Sequence, residues 1–106
     1  MTDVGEGLET LLAAARADFL TRLEPKVGEL EELSARGAWA EVRRAAHRLR
    51  GSAATYGFAS VGVAAAAMED LLIEVDSSPG DEAKKRFASL LGTARTEVER
   101  LVKEGA

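Results

Sequence analysis

The sequence contains no cysteine and only one histidine, His47. Without cysteine, neither disulfide bonds nor thiolate metal sites can form. A structural zinc site draws its ligands mainly from cysteine and histidine, so a single histidine also argues against one. We therefore expect this chain to bind no metal and no cofactor of its own.

Long hydrophobic runs are missing as well. No apolar stretch approaches the ~20 residues that span a bilayer. Residues 1–6 lack the basic and apolar regions of a signal peptide. These features predict a cytoplasmic chain that does not associate with membranes.

The charge is acidic overall but unevenly distributed. The net charge of −4 argues against general nucleic-acid binding. Residues 36–55, however, contain five arginines and a single acid, a local net charge of +4. The chain is thus an acidic protein with one basic patch.

Residues that favour strands are scarce, whereas alanine, leucine, glutamate and arginine dominate. Apolar residues recur with helical periodicity and nowhere alternate as in a strand. At 106 residues the chain has the length of a single domain, residues 1–106. We predict an all-α fold, an antiparallel four-helix bundle.

Four helical stretches are predicted. The first runs from about Glu6 to Gly37 and is kinked or restarted near Pro25; the others span about 38–56, 58–75 and 79–103. Ser78 is the predicted N-cap of the last one, with Pro79 as its first helical residue. The first stretch has a predicted core-facing stripe, formed by Leu8, Leu11, Leu12, Ala15, Phe19 and Leu23.

The second stretch places its histidine away from the core. Its apolar stripe consists of Trp39, Val42, Ala46, Leu49, Ala53 and Tyr56. His47 lies about 130° from the centre of this stripe and should face solvent. The same side carries small residues and cations: Ala40, Gly51, Ala54, Arg43, Arg44 and Arg50.

Gly51 is one turn after His47. A glycine inside a helix costs ~1 kcal/mol relative to alanine, so a reason for it is expected. It could leave room for a substituent on the ring, or it could end the helix. The apolar stripe that continues through Ala53 and Tyr56 favours an uninterrupted helix.

The string HRLRGSA at residues 47–53, followed by a small residue, an aromatic and a second glycine, Gly57, resembles the histidine-containing phosphotransfer (HPt) family signature. The resemblance extends over the whole chain in helix order and length. It implies that His47 is phosphorylated, that Arg50 is the basic residue beside the phosphoryl group, and that Gly51 provides clearance.

A second segment, MEDLL at residues 68–72, is similar to the phosphotransfer domain of chemotaxis histidine kinases. There, a glutamate hydrogen-bonds the imidazole nitrogen that is not phosphorylated, and Glu69 matches its position. The alternative is a solvated glutamate at the flank of a helix. The family more often has lysine where Arg50 stands, and the first helix resembles generic HPt proteins, so the subfamily stays open.

The resemblance implies a phosphoryl carrier of bacterial two-component signalling, not a self-contained enzyme. Its partners would be a response-regulator receiver domain, which would supply the magnesium, and/or a histidine kinase. The partner would dock on Ala40, Arg43, Arg44 and Ala54. Because the charged helix faces carry few apolar residues, we expect a monomer.

Two other readings stay open. A degenerate HPt-like bundle could serve as a docking module without phosphotransfer, although this chain keeps the histidine and its glycine. An enzyme could use His47 and Glu69 for acid–base catalysis, which would require an enclosed cleft beside them. The start at Met1 and a complete set of helices favour a free-standing protein over a domain excised from a larger kinase.

Overall fold

A computed structural model describes residues 4–105, with the side chains of residues 4 and 6 excepted. The predicted domain of residues 1–106 reaches beyond this range at both ends, outside the described residues. Four α-helices account for the fold: α1 (Val4–Ala35), α2 (Trp39–Thr55), α3 (Ala59–Glu74) and α4 (Asp81–Lys103). The all-α prediction is confirmed.

The helices form an up-down-up-down bundle. Each helix packs against the next one along the chain, and α4 packs back against α1. Short connections impose antiparallel neighbours, so this arrangement closes a four-helix ring around one core. Within the described part of the chain, no helix is long and apolar enough to cross a membrane.

Three helices end in the same backbone motif. At the end of α1, the Gly37 N–H donates to the Ser34 carbonyl and the Ala38 N–H donates to the Leu33 carbonyl. Equivalent pairs of backbone hydrogen bonds occur at the end of α2, around Gly57, and at the end of α3. Gly37 and Gly57 have φ angles of 71° and 80°, which glycine adopts without steric cost. The predicted stops at these two glycines are confirmed.

The start of α4 differs from the prediction. The helix begins at Asp81 with Gly80 as its N-cap, so Ser78 is not the N-cap and Pro79 is not helical. The physical reason lies at the end of α3, where Asp76 and Ser77 adopt left-handed φ angles of 49° and 57°. This turn is followed by a buried Pro79 and an extended Gly80, and the chain becomes helical only after them.

Helix α1 runs without interruption through Pro25, so it is not restarted there. Its 32 residues span about 48 Å, whereas the 17 residues of α2 span about 26 Å. The N-terminal part of α1 therefore projects past the end of the bundle. The core consists of residues from all four helices and of Phe58, the residue before α3. Its largest fully buried side chains are Phe19, Phe58, Phe87, Leu23, Leu30, Met68 and Leu72.

The predicted core stripe of α1 is wrong in its first half. Leu8, Leu11 and Leu12 are 53, 69 and 59 % exposed, because this part of α1 lies at or beyond the end of α2, whose last residue, Thr55, only borders Leu12. Burial begins at Phe19, whose ring stacks on Tyr56 at a centroid distance of 4.7 Å. A monomer is expected from the sequence because few apolar residues lie on the exposed helix faces. The three exposed leucines remove that reason, and the oligomeric state stays a prediction.

Candidate functional site

His47 lies on the solvent-facing side of α2. Its side chain is 71 % exposed, while Val42, Ala46 and Leu49 on the opposite side are buried. The orientation expected from helical periodicity is therefore observed. An exposed imidazole on a rigid helix is accessible to another macromolecule without any movement of the backbone.

Glu69 of α3 holds the imidazole in place. Its side chain is only 9 % exposed, and its Oε2 lies 2.6 Å from His47 Nδ1. A carboxylate can only accept a hydrogen bond, so Nδ1 donates and carries the hydrogen. The remaining lone pair of the neutral ring is then on Nε2, the nitrogen with no hydrogen-bond partner among the described residues. The structure thus excludes the reading of Glu69 as a solvated glutamate.

Close packing of α2 on α3 brings these two side chains together. Gly62 of α3 is buried against α2, where an added Cβ would lie 3.6 Å from the Ala53 Cβ and 3.8 Å from the Ala54 amide nitrogen. Small side chains on both helices thus allow a short interhelical distance. Gly62 was not identified from the sequence, because a glycine within an alanine-rich helix gives no signal of its partner.

Arg50 contacts the same carboxylate from one turn further along α2. Its Nη1 donates to Glu69 Oε1 over 3.1 Å and lies 3.7 Å from Asp70 Oδ1. The two oxygens of Glu69 are thus divided between His47 and Arg50. The guanidinium of Arg50 points toward α3, on the side of the ring that carries Nδ1.

Gly51 lies in the interior of α2, which continues to Thr55, so it does not end the helix. It is exposed, and an added Cβ would have no neighbouring atom within 4 Å. The packing of the fold therefore does not require a glycine at this position. The clearance role that the family resemblance gives to Gly51 stays a prediction.

The four residues assigned to a docking face share the surface of His47. Ala40, Arg44 and Ala54 are exposed, and Arg43 is half-buried. The side chains of the two alanines are small and do not protrude from the surface around the imidazole. Among the described side chains, neither Arg43 nor Arg44 forms an ion pair within the protein.

Two shallow, open depressions flank His47. One is lined by Arg43, Arg44 and Glu69, and the other by Lys26 of α1 and Gly51; Arg48 borders both. Neither encloses a substrate, which argues against the acid–base enzyme. Lys26 was missed from the sequence, since its approach to His47 depends on how α1 and α2 pack.

Among the described residues, no group of three or more histidine, cysteine, aspartate or glutamate side chains could hold a metal ion. The carboxylates near His47, Glu69 and Asp70, are both contacted by Arg50. The site as described is therefore built from an imidazole, a buried carboxylate and surrounding cations.

Comparison with protein families agrees with this arrangement. The family model "Hpt domain" matches residues 5–104, nearly the whole chain. No curated protein and no solved structure matches the chain significantly. Members of the matched family are phosphocarrier modules of phosphorelay signalling. With its four-helix bundle and its exposed His47, the chain belongs to the Hpt domain family.

Proposed function

We propose that this protein carries a phosphoryl group on Nε2 of His47 and exchanges it with an aspartate of a response-regulator receiver domain, or receives it from a histidine kinase. The observation that supports this most strongly is the exposed imidazole whose Nδ1 is fixed by a buried carboxylate, Glu69. That contact leaves Nε2 as the nucleophile.

In the proposed step, the Nε2 lone pair attacks the phosphorus of an aspartyl phosphate. The N–P bond forms while the P–O bond to the aspartate breaks, and the aspartate leaves as a carboxylate. The ring then carries a positive charge with its hydrogen still on Nδ1, beside Glu69. The positive charge on the ring grows during the transfer. The carboxylate therefore stabilises the transition state more than it stabilises the unphosphorylated protein. The reverse step returns the phosphoryl group.

Little further chemistry is required of this chain. Phosphoryl transfer depends mainly on positioning and on charge stabilisation. In the proposal, the receiver supplies the acidic pocket and its magnesium ion. The basic residues Arg43 and Arg44 would face that acidic pocket and raise the rate of encounter. Ala40 and Ala54 would let the partner approach the ring closely.

The experiment is to measure the intact mass after incubation with receiver domains phosphorylated by a small-molecule donor and freed of it. We expect an added phosphoryl group that is lost in mild acid and retained in alkali, the stability of a phosphohistidine. His47→Gln, treated identically, should gain nothing. A folded wild-type protein that takes no phosphoryl group from a broad panel of receivers and kinases would instead support the docking module without phosphotransfer.

A further inference from the structure

We infer that Lys26 of α1 binds the phosphoryl oxygens once His47 is phosphorylated, a role that the family resemblance gives to Arg50. The inference rests on the proposed function. Lys26, His47 and Gly51 line one depression, on the part of the surface where α1 meets α2.

The direction of the imidazole selects this depression. Glu69 contacts Nδ1 from α3, so Nε2 lies across the ring from that contact. Of the two depressions beside His47, the one lined by Arg43 and Arg44 also includes Glu69, whereas the one lined by Lys26 does not. A phosphoryl group on Nε2 would therefore extend away from Glu69, and the depression lined by Lys26 is the one of the two that Glu69 does not border.

Gly51 leaves the space that this group needs. An added Cβ at this position would meet no atom within 4 Å, so the surface between His47 and Lys26 is open. The three phosphoryl oxygens carry close to two negative charges at neutral pH, and they would occupy this space. In this proposal Gly51 leaves space for the phosphoryl group, and Lys26 supplies a positive charge for its oxygens.

Two of the cations near His47, Arg48 and Arg50, already have carboxylate partners, and Arg43 and Arg44, which form no ion pair with the described side chains, line the depression on the Glu69 side. Arg50 contacts Glu69 and Asp70 on the α3 side, and Arg48 lies 3.5 Å from Glu29. Lys26 is half-buried and forms no ion pair with the side chains that the structure describes. A lysine offers three donors on a flexible stem, which suits the oxygens of a phosphoryl group.

The test compares Lys26→Gln with the wild type in two measurements. The first is the equilibrium partition of the phosphoryl group between His47 and a receiver aspartate. Loss of one nearby cation should shift it toward the receiver about fivefold, the size expected for an exposed charge pair. The second is a ³¹P NMR titration, in which the second pKa of the phosphoryl group should rise in Lys26→Gln.

Three further variants make the result specific. Lys26→Arg should restore the wild-type partition, and Lys84→Gln, which removes an exposed lysine from α4, should leave it unchanged. A partition and a phosphoryl pKa that Lys26→Gln leaves unchanged, or that only Arg44→Gln alters, would overturn the assignment to Lys26. A wild-type protein that accepts no phosphoryl group would instead refute the proposed function, so the two failures are distinguishable.

Discussion

Among the carboxylates that join neighbouring helices, Glu31 and Glu69 do so in different ways. Glu31 joins α1 to α4 through Arg95, with distances of 2.6 and 3.1 Å between their oxygen and nitrogen atoms. Glu69 joins α3 to α2 through His47 and Arg50. The side chain of Glu31 is 42 % exposed, whereas that of Glu69 is 9 % exposed.

The two carboxylates differ in what their partners leave accessible to solvent. Glu31 and Arg95 satisfy each other: their hydrogen bonds lower the pKa of Glu31 and raise the pKa of Arg95. Glu69 is buried although one of its partners, His47, is largely in solvent. Burying a carboxylate costs free energy. Glu69 orients a ring whose other nitrogen stays accessible, and in the proposed function this orientation prepares phosphoryl transfer.

The largest effect is expected from His47→Gln. Because the sequence has no second histidine, this substitution should abolish acid-labile phosphorylation altogether. The side chain is exposed and Arg50 still contacts Glu69, so the helical content should stay unchanged. Loss of the hydrogen bond to the buried carboxylate should lower the free energy of unfolding by about 1–3 kcal/mol. Phosphorylation assays and circular dichroism of the same preparation measure these quantities. Loss of helical content would contradict the assignment of His47 to the surface.

Substitutions of Gly51 should affect the stability of the fold and the rate of phosphoryl transfer in opposite directions. Gly51→Ala should stabilise the protein by up to ~1 kcal/mol, since the added methyl group meets nothing and alanine favours the helix. Gly51→Leu should slow transfer by roughly 100-fold, because it crowds the space beside the ring. Chemical denaturation and single-turnover transfer measure the two effects.

Gly92 provides the matched control for Gly51. It is also an exposed glycine inside a helix, and an added Cβ there would meet no atom within 4 Å. Gly92→Ala should therefore raise stability to a similar extent, and Gly92→Leu should leave transfer unaffected. Equal transfer rates in Gly51→Leu and Gly92→Leu would refute the clearance role.

Glu69 and Glu31 can be compared directly by the same substitution. Glu69→Gln keeps the shape of the side chain but removes the charge that stabilises the phosphorylated ring. We expect transfer to slow about tenfold with unchanged docking affinity, in line with other side chains that orient a reactive imidazole. Glu31→Gln should leave the transfer rate at the wild-type value. Equal rates for the two variants would remove the functional distinction between the carboxylates.

The smallest effect concerns stability in acid. The hydrogen bond from Arg95 makes the pKa of Glu31 lower in the folded protein than in the unfolded chain, whose usual value is 4.5. The pair therefore stabilises the fold fully above that value, and the contribution is lost as the pH falls through the lower, folded pKa. Solvent screening of this exposed pair keeps it below about 1 kcal/mol.

Urea denaturation between about pH 3 and pH 7, a range that includes the usual pKa of a glutamate, tests how the stabilisation by this pair changes with pH. Glu31→Gln should be less stable than the wild type at pH 7, and the difference should shrink toward pH 3. A difference that grows as the pH falls would show that the pair does not contribute through the ionised carboxylate.

Much of the fold follows from local sequence. Helical periodicity sets the four helices, and Gly37 and Gly57 end two of them because each adopts a left-handed φ. The exposure of His47 and the continuity of α2 through Gly51 follow from the same periodicity. These features depend on residues within one helix, which is why the sequence alone can predict them.

The features that could not be predicted depend on contacts between helices. Leu12 continues the apolar stripe of α1, yet its exposure is decided by where the other three helices end. The approach of Lys26 to His47 depends on the register of α1 against α2. The direction of Arg50 depends on Glu69 and Asp70 of α3, which its guanidinium contacts.

The most direct test of the central claim is long-range ¹H–¹⁵N NMR of the single imidazole, before and after phosphorylation. We expect hydrogen on Nδ1 and none on Nε2 in the free protein, and phosphorus coupled to Nε2 after transfer. Glu69→Gln should weaken the preference for hydrogen on Nδ1. Hydrogen on Nε2 in the free protein, or a phosphoryl group on Nδ1, would contradict the role given to Glu69 and the geometry of transfer derived from it.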